Sequence, residues 1–385
     1  MTLIWLLAGE PSGDAIGARL MAALSKRAPG IRFAGVGGPR MQAGGFTSLF
    51  PFEELALMGL VEVLPRLRQI RRRLLEAARD IEDTRPDVVV TIDSPGFTLR
   101  LLRRIRPLGI PRAHYVAPQV WAWRASRVRH FPGLWERLLC LLPFEPAFFA
   151  RHGLAASFVG HPVLESGADR GHPECFRARH GIPAETPILI VMPGSRPGEV
   201  ARHGAIFGAA LRLLAARHPG LRPVVPAAPA VRNMLPNLLA GWPQAPIVIE
   251  SEDEKPDAYA AAAAALCKSG TSALELALGR VPMVIAYRLN PITGLIARRL
   301  ATVQHASLVN LLAGHEVVPE LLQEHCTPDG LAAALSMLID DPRAAAAQRA
   351  AFSPVLASLA PPSGTPSEAA AAAVLELAAA SGTSP

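Results

Sequence analysis

Apolar residues along this 385-residue chain fall into two rhythms. Short, nearly unbroken runs occur at Leu3–Ala8, Ile31–Val36, Asp87–Ile92, Arg112–Val116 and Leu138–Leu142, and each stops at a cluster of Gly, Pro or polar residues. Longer stretches between them repeat every three or four residues; in Ala15–Lys26, Ile16, Leu20, Ala23 and Leu24 share one side. A continuous apolar run reads as a strand buried on both faces, which is the habit of a parallel sheet, and the 3.6-residue rhythm reads as covering helices. The second half repeats the plan, with strands expected near 188–192, 222–226, 246–250, 263–267 and 282–287; Ala262–Cys267 reads equally as a helix end. The fold class is therefore α/β: two doubly wound, Rossmann-like domains with parallel sheets. Ligands of such sheets bind beyond the carboxyl ends of the strands, so two such domains facing a cleft are expected. Gly160-His161-Pro162-Val163 marks the boundary, giving domains 1–161 and 162–360 and an Ala-rich tail, 361–385.

Composition changes little until charge is considered. The chain carries 37 Pro and 31 Gly, enough to punctuate many short connections. Cys140, Cys175, Cys267 and Cys326 have no C-x-x-C spacing, so a reduced chain without structural zinc is expected. Met1–Ala8 lacks the basic flank of a signal peptide, and no run approaches the roughly 20 apolar residues of a membrane span. A soluble protein is expected. The formal charge of +7 is uneven, with eleven Arg against six acids in residues 66–106. Such an excess calls for an anionic partner: nucleic acid, anionic lipid or a phosphorylated substrate.

Part of that excess lies on one predicted helix starting near Pro65. Val63, Leu67, Ile70 and Leu74 form an apolar stripe, while Arg66, Arg68, Arg71, Arg72 and Arg73 occupy the other face. Met58, Leu60, Val61 and Leu64 add apolar surface just before and at its start. The pattern fits a core-packed helix with a solvated basic side, and it fits an interfacial helix resting on an anionic membrane.

Candidate chemistry sits on the turns that follow strands. Ile188–Met192 runs into Pro193-Gly194-Ser195-Arg196-Pro197-Gly198-Glu199-Val200. A strand, a Gly-Ser turn and a helix start leave backbone N–H groups and a positive dipole end aimed at one place, which suits a phosphate. Arg196 adds a permanent, bidentate charge. An ordinary loop with a solvated Arg would look the same, except that Lys268-Ser269-Gly270-Thr271-Ser272 makes a matching turn, with Thr271 or Ser272 able to cap the next helix. Glu275 stands one turn further on, where a carboxylate can accept from both ribose hydroxyls. Together the turns read as a nucleotide-diphosphate cradle. No G-x-x-x-x-G-K-[ST] occurs, so NTP hydrolysis is disfavoured, and no G-x-G-x-x-G follows a strand, so a Rossmann dehydrogenase is too. Asp93 ends an all-apolar strand, where a partly desolvated carboxylate could act as general base; N-capping the next helix is its plainer role. Glu10, Ser12 and Asp14, with Gly13, cluster on the first turn. His161 reads more readily as structural than as an active-site residue.

Long motifs then give the chain a family resemblance. Ala8–Asp14, Gly37–Met41, Met58–Leu64, His114–Arg124, Leu142–Glu145, Pro193–Arg196, Ser269–Glu275 and Ser307–Gly314 resemble, in order, lipid-A-disaccharide synthases. The resemblance implies a GT-B fold and an inverting transfer that needs no metal and no cofactor. The sugar passes from UDP-2,3-diacylglucosamine to 2,3-diacylglucosamine 1-phosphate, forming a β-1,6 bond and releasing UDP. It implies Asp93 as the base, and Gly194, Ser195, Arg196, Ser269, Gly270, Thr271 and Glu275 around UDP. Glu10, Ser12, Gly13 and Asn310 would shape the sugar or acceptor site. Met58, Leu60, Val61, Val63, Leu64, Leu67 and Ile70 would face the membrane. The first domain would then bind the acceptor and the second the UDP-sugar. The protein is expected to be cytoplasmic and peripheral on the inner face of the cytoplasmic membrane, with no nucleic-acid partner; a homodimer is allowed. Two positions depart from the family pattern: Thr98, where Asn is frequent, and Arg71, in a usually apolar stripe. Two rivals have distinct signatures: a soluble UDP-sugar epimerase has no use for the 58–74 surface, and a two-lobed binding protein would carry a signal peptide.

Overall fold

The computed structural model describes residues 2–55, 67–122, 125–290 and 303–381. The chain divides into two compact units, one made of Met1–Glu165 with Leu359–Pro385 and the other of Ser166–Ser358.

The first unit holds a six-stranded sheet of β1 (Leu3–Ala8), β2 (Arg32–Val36), β3 (Val88–Ile92), β4 (Arg112–Tyr115), β5 (Arg137–Cys140) and β6 (Ala156–Phe158), in the order β2-β1-β3-β4-β5-β6. Every pairing is parallel. Strand periodicity divides the apolar runs between two faces. Trp5, Leu7, Val89 and Leu138 pack with Ala77 and Ile81 of helix Leu67–Thr84 and with Leu101 and Ile105 of helix Pro95–Ile105. Ile4, Leu6, Val88, Val90 and Tyr115 pack on the other face with Leu20 and Leu24 of helix Pro11–Arg27. Each fully buried Leu or Val there stabilises the fold by roughly 1.5–3 kcal/mol relative to exposure.

The tail, whose place the sequence left open, belongs to this unit. Helix Pro366–Ser381 buries Ala370, Ala371 and Val374 in the same cluster as Leu20 and Leu24. Alanines let the two helices approach closely. The chain returns beside the expected boundary: His161 N–H donates to Leu359 O at 2.9 Å. A Cβ on Gly160, at φ +82°, would lie 2.6 Å from Pro361 Cδ. His161 is buried, its Nδ1 accepts from Val163 N–H at 3.1 Å, and burial pulls its pKa down to about 4. It is a neutral structural residue.

The second unit repeats the architecture with β7 (Ile188–Met192), β8 (Arg222–Pro226), β9 (Ile247–Ile249), β10 (Ala264–Lys268), β11 (Met283–Tyr287) and β12 (Glu320–Leu322), all parallel, in the order β12-β11-β10-β7-β8-β9. The ambiguous stretch at 262–267 is thus a central strand. No helix among the described residues is long and apolar enough to cross a membrane.

Candidate active site

Strand order alone locates two places for a ligand. In the second sheet the chain leaves β7 toward β8 and β9, then crosses back to lay β10 on the other side of β7. The connections after β7 and β10 therefore diverge and open a crevice above adjacent strand ends. The first sheet has the same switch between β1 and β3. All the predicted turns lie at these two switches.

At the second-unit switch, Gly194 has φ +138°, and a Cβ there would lie 2.6 Å from Glu199 Cβ, so the turn requires glycine. Arg196, at the N-cap of helix Pro197–Arg217, is exposed. The Ser195 N–H expected to be free instead donates to Glu199 Oε2 at 3.2 Å. Glu199 is only 5% exposed, and its Oε1 pairs with Lys268 Nζ at 3.1 Å. Burial pushes this carboxyl upward, but the Lys268 charge and hydrogen bond outweigh it and the pKa is lowered overall. His203, from the same helix, spans two loops. Arg288 N–H donates to its Nε2 at 3.1 Å, so the proton sits on Nδ1, which donates to Pro193 O at 2.8 Å. Burial lowers its pKa and keeps it neutral. The two turn motifs contain Glu199 and Lys268 without marking a role for either, and His203 lies beyond them; the only signal in the sequence is an acid and a His at i, i+4 on the turn's own helix.

The second turn carries Ser269, Gly270 and Thr271. Ser269 Oγ donates to Ala306 O at 2.7 Å. Thr271 occupies the N-cap of helix Ser272–Leu278 without the expected side-chain cap, because its backbone is already helical (φ −64°, ψ −25°). Glu275 is half-buried in the first turn, near the buried Tyr259 phenol, whose pKa burial and the Glu275 charge raise. Asn310 departs from expectation. It is fully buried, with Nδ2 donating to Val318 O (2.9 Å) and Glu320 Oε1 (2.8 Å) and Oδ1 accepting from Val317 and Val318 N–H (2.8 and 2.9 Å). Its amide is spent inside the protein, so it shapes the loop that receives Ser269 and has no group left for a sugar.

At the first-unit switch, Gly9 and Ser94 meet: a Cβ on Gly9 would lie 2.7 Å from Ser94 Oγ. A Cβ on Gly13 would lie 3.4 Å from Ile92 O. Glu10 is the half-buried N-cap of helix Pro11–Arg27 and Ser12 is exposed on its first turn. Asp14 leaves the cluster; buried, it accepts from the N–H groups of Gly38 (2.8 Å), Arg40 (2.9 Å) and Met41 (3.1 Å), capping helix Pro39–Ala43. Asp93 is half-buried, and Ser94 takes the N-cap of the next helix. Asp93, Ser94 and Val116 are all left-handed, at φ +52°, +48° and +75°. Such residues cost of order 1–3 kcal/mol each and collect at functional sites. Thr98 is buried and its hydroxyl hydrogen points at Asp93 O (2.8 Å) and Ser94 O (3.0 Å), bracing the strained turn. Ser94 Oγ is buried without a hydrogen-bond partner among the described residues.

Two further motifs are structural partners. Glu145 is buried and accepts from Trp121 Nε1 and from Leu141 and Leu142 N–H, all at 3.0 Å. Burial pushes it up to about 7, against those donors. Of the surface expected to meet lipid, Met58, Leu60, Val61, Val63 and Leu64 lie outside the described residues, as does the Leu67 side chain. Ile70 instead is half-buried and packs on the first-unit core, as Leu74 does. Arg73 is not a free cation: it binds Glu54 through two bonds (2.7 and 2.6 Å) and Glu76 (2.7 Å), and lies over Phe50.

A family model described as lipid-A-disaccharide synthetase matches residues 4–374. The chain is 58% identical to a lipid-A-disaccharide synthase of Gluconobacter oxydans, covering 97% of this chain and 90% of that one. It is 54% identical to the same-named protein of Granulibacter bethesdensis, covering 97% and 98%. Among solved structures, UDP-GlcNAc 2-epimerase of Neisseria meningitidis bound to UDP-GlcNAc superposes with TM-score 0.64 at 14% identity, covering 98% of this chain and 99% of that one. The calicheamicin glycosyltransferase CalG4 superposes with TM-score 0.60 at 17% identity, covering 100% and 99%. Those two likenesses concern the fold.

Proposed function

We infer the reaction from one premise: the chain belongs to the lipid-A-disaccharide synthase family. It is a glycosyltransferase of the GT-B fold. It moves 2,3-diacylglucosamine from UDP to the 6-hydroxyl of 2,3-diacylglucosamine 1-phosphate, inverting C1 and releasing UDP. The observation that supports the division of labour is the pair of turns flanking the β7/β10 switch, which suits a nucleotide diphosphate. Gly194, Ser195, Arg196, Ser269, Gly270 and Thr271 receive the diphosphate, and Glu275 accepts from the ribose hydroxyls. The exposed Arg196 neutralises charge that develops as UDP departs, without a metal.

The first unit supplies the acceptor side. Asp93 takes the proton of the attacking hydroxyl, on a turn held rigid by Thr98, and Glu10, Ser12 and Gly13 line the sugar site beside it. The Ser94 hydroxyl supports this reading, because a buried polar group without a partner among the described residues is one that a substrate can satisfy. The protein works at the inner face of the cytoplasmic membrane, which the acylated substrates require, and residues 58–64 with the exposed arginines of helix Leu67–Thr84 form the contact. A homodimer is compatible with this role.

The test is to incubate the protein with UDP-2,3-diacylglucosamine and the 1-phosphate acceptor, and separately with UDP-GlcNAc. UDP release that requires both acylated partners is expected. Epimerisation of UDP-GlcNAc without an acceptor would replace this reading with that of a UDP-sugar epimerase.

A further inference from the structure

We propose that Lys268 is a second cation for the departing diphosphate, held in place by Glu199. The inference rests on the donor reading of the second unit. Lys268 is the last residue of β10, at the edge of the switch. Its Nζ lies 3.1 Å from Glu199 Oε1, on the helix that follows the first turn. A Cβ on Gly270 would lie 3.3 Å from the same Nζ, so the ammonium is folded over the second turn. The Tyr287 ring, 5.7 Å away, flanks it. Its side chain is 20% exposed, whereas Arg196 is an exposed residue. One nitrogen thus stands where the two diphosphate turns meet.

The chemistry of the pair favours a ligand role over a purely structural one. An ammonium has three N–H donors, and Glu199 receives one of them. The same carboxylate accepts the Ser195 N–H, so one acid orients both the cation and an amide of the turn. A buried ion pair adds little stability compared with an apolar pair of the same volume, so stability alone gives little reason for one here. A diphosphate carries more than one negative charge and gains more as the glycosidic bond breaks, so a fixed cation where the two turns meet adds to what the exposed Arg196 supplies from one side. The Walker loop places a lysine within its own turn; here the lysine arrives from the neighbouring strand.

The experiment uses calorimetry with UDP and with uridine, plus turnover of the acylated substrates. Lys268→Met keeps the aliphatic stem and should weaken UDP binding about 10- to 100-fold, the loss of one charged hydrogen bond, with uridine affinity unchanged. Lys268→Arg should restore most of the UDP affinity. The double variant Glu199→Gln/Lys268→Met carries no unpaired buried charge and should stay as weak as the single one. It also reads the same quantity if Lys268→Met unfolds. Recovery of wild-type UDP affinity in the double variant would reduce Lys268 to a counter-ion for Glu199 and overturn the proposal. Parallel loss of uridine binding would overturn it too. A wild-type protein that binds no UDP would sink the donor reading itself.

Discussion

Asp93, the base proposed above, sits on an unusual backbone. The end of β3 turns left-handed through Asp93 and Ser94, and the Thr98 hydroxyl fastens both carbonyls. Asp93→Asn preserves shape and removes the basic oxygen. It should cut turnover about 10²- to 10⁴-fold while UDP affinity and melting temperature hold; near-normal turnover would assign the base elsewhere. What sequence could tell about such residues depended on whether their partners were local. The positions of Gly194 and Asp93 just past strand ends are legible in the sequence, because the apolar runs before them stop there. The inward-facing amide of Asn310 is not legible, because its partners are Val317 and Val318 of a loop and Glu320 at the start of the short strand β12, none of which a periodicity reveals. Asp14 was left in the first-turn cluster for the same reason, since its amide donors lie at residues 38–41.

Among elements, the ten strands with apolar runs were read nearly to the residue, and the two that were missed are instructive. β6 (Ala-Ser-Phe) and β12 (Glu-Leu-Leu) are three-residue edge strands, half-buried, with one neighbour each. An edge needs neither length nor continuous hydrophobicity, so no pattern marks it. Helix Leu67–Thr84 carries a different lesson: its arginines look alike in sequence but are unequal in structure. Arg73→Ala should lower stability by about 2 kcal/mol, since its hydrogen bonds to Glu54 and Glu76 are shielded. Arg71→Ala and Arg72→Ala, at exposed positions, should change stability by less than about 0.5 kcal/mol. Those two should instead weaken sedimentation with anionic phosphatidylglycerol vesicles, increasingly so at low salt. Equal melting losses for all three would make the helix face uniform.

For the whole molecule, acid stability draws on buried groups of both units: His203 of the second is held neutral by burial, and the first holds two such histidines and a buried acid. His114 and His161 are held neutral by burial, at about 3 and about 4, against 6.5 for free histidine. Below pH 6.5 the unfolded chain takes protons that the fold refuses, so their contribution is full above 6.5 and is lost as pH falls toward 4. Glu145 acts oppositely: raised from 4.5 to about 7, it keeps its proton in the fold and favours folding as pH falls from 7 to 4.5. The two histidines outweigh it, so urea midpoints should fall between pH 6.5 and 4.5, and His161→Gln should flatten the curve. A midpoint that rises on acidification would show that Glu145 dominates.

The return of helix Pro366–Ser381 to the first unit also sets a timetable for synthesis. The second unit is one uninterrupted segment, Ser166–Ser358, and can close as soon as it leaves the ribosome. The first unit is begun first and finished last. Until Ala370, Ala371 and Val374 emerge, the cluster around Leu20 and Leu24 lacks part of its cover and offers nascent-chain chaperones an apolar patch. The order expected for this chain is therefore the second unit first, with the first unit completed only by the sixteen-residue helix Pro366–Ser381.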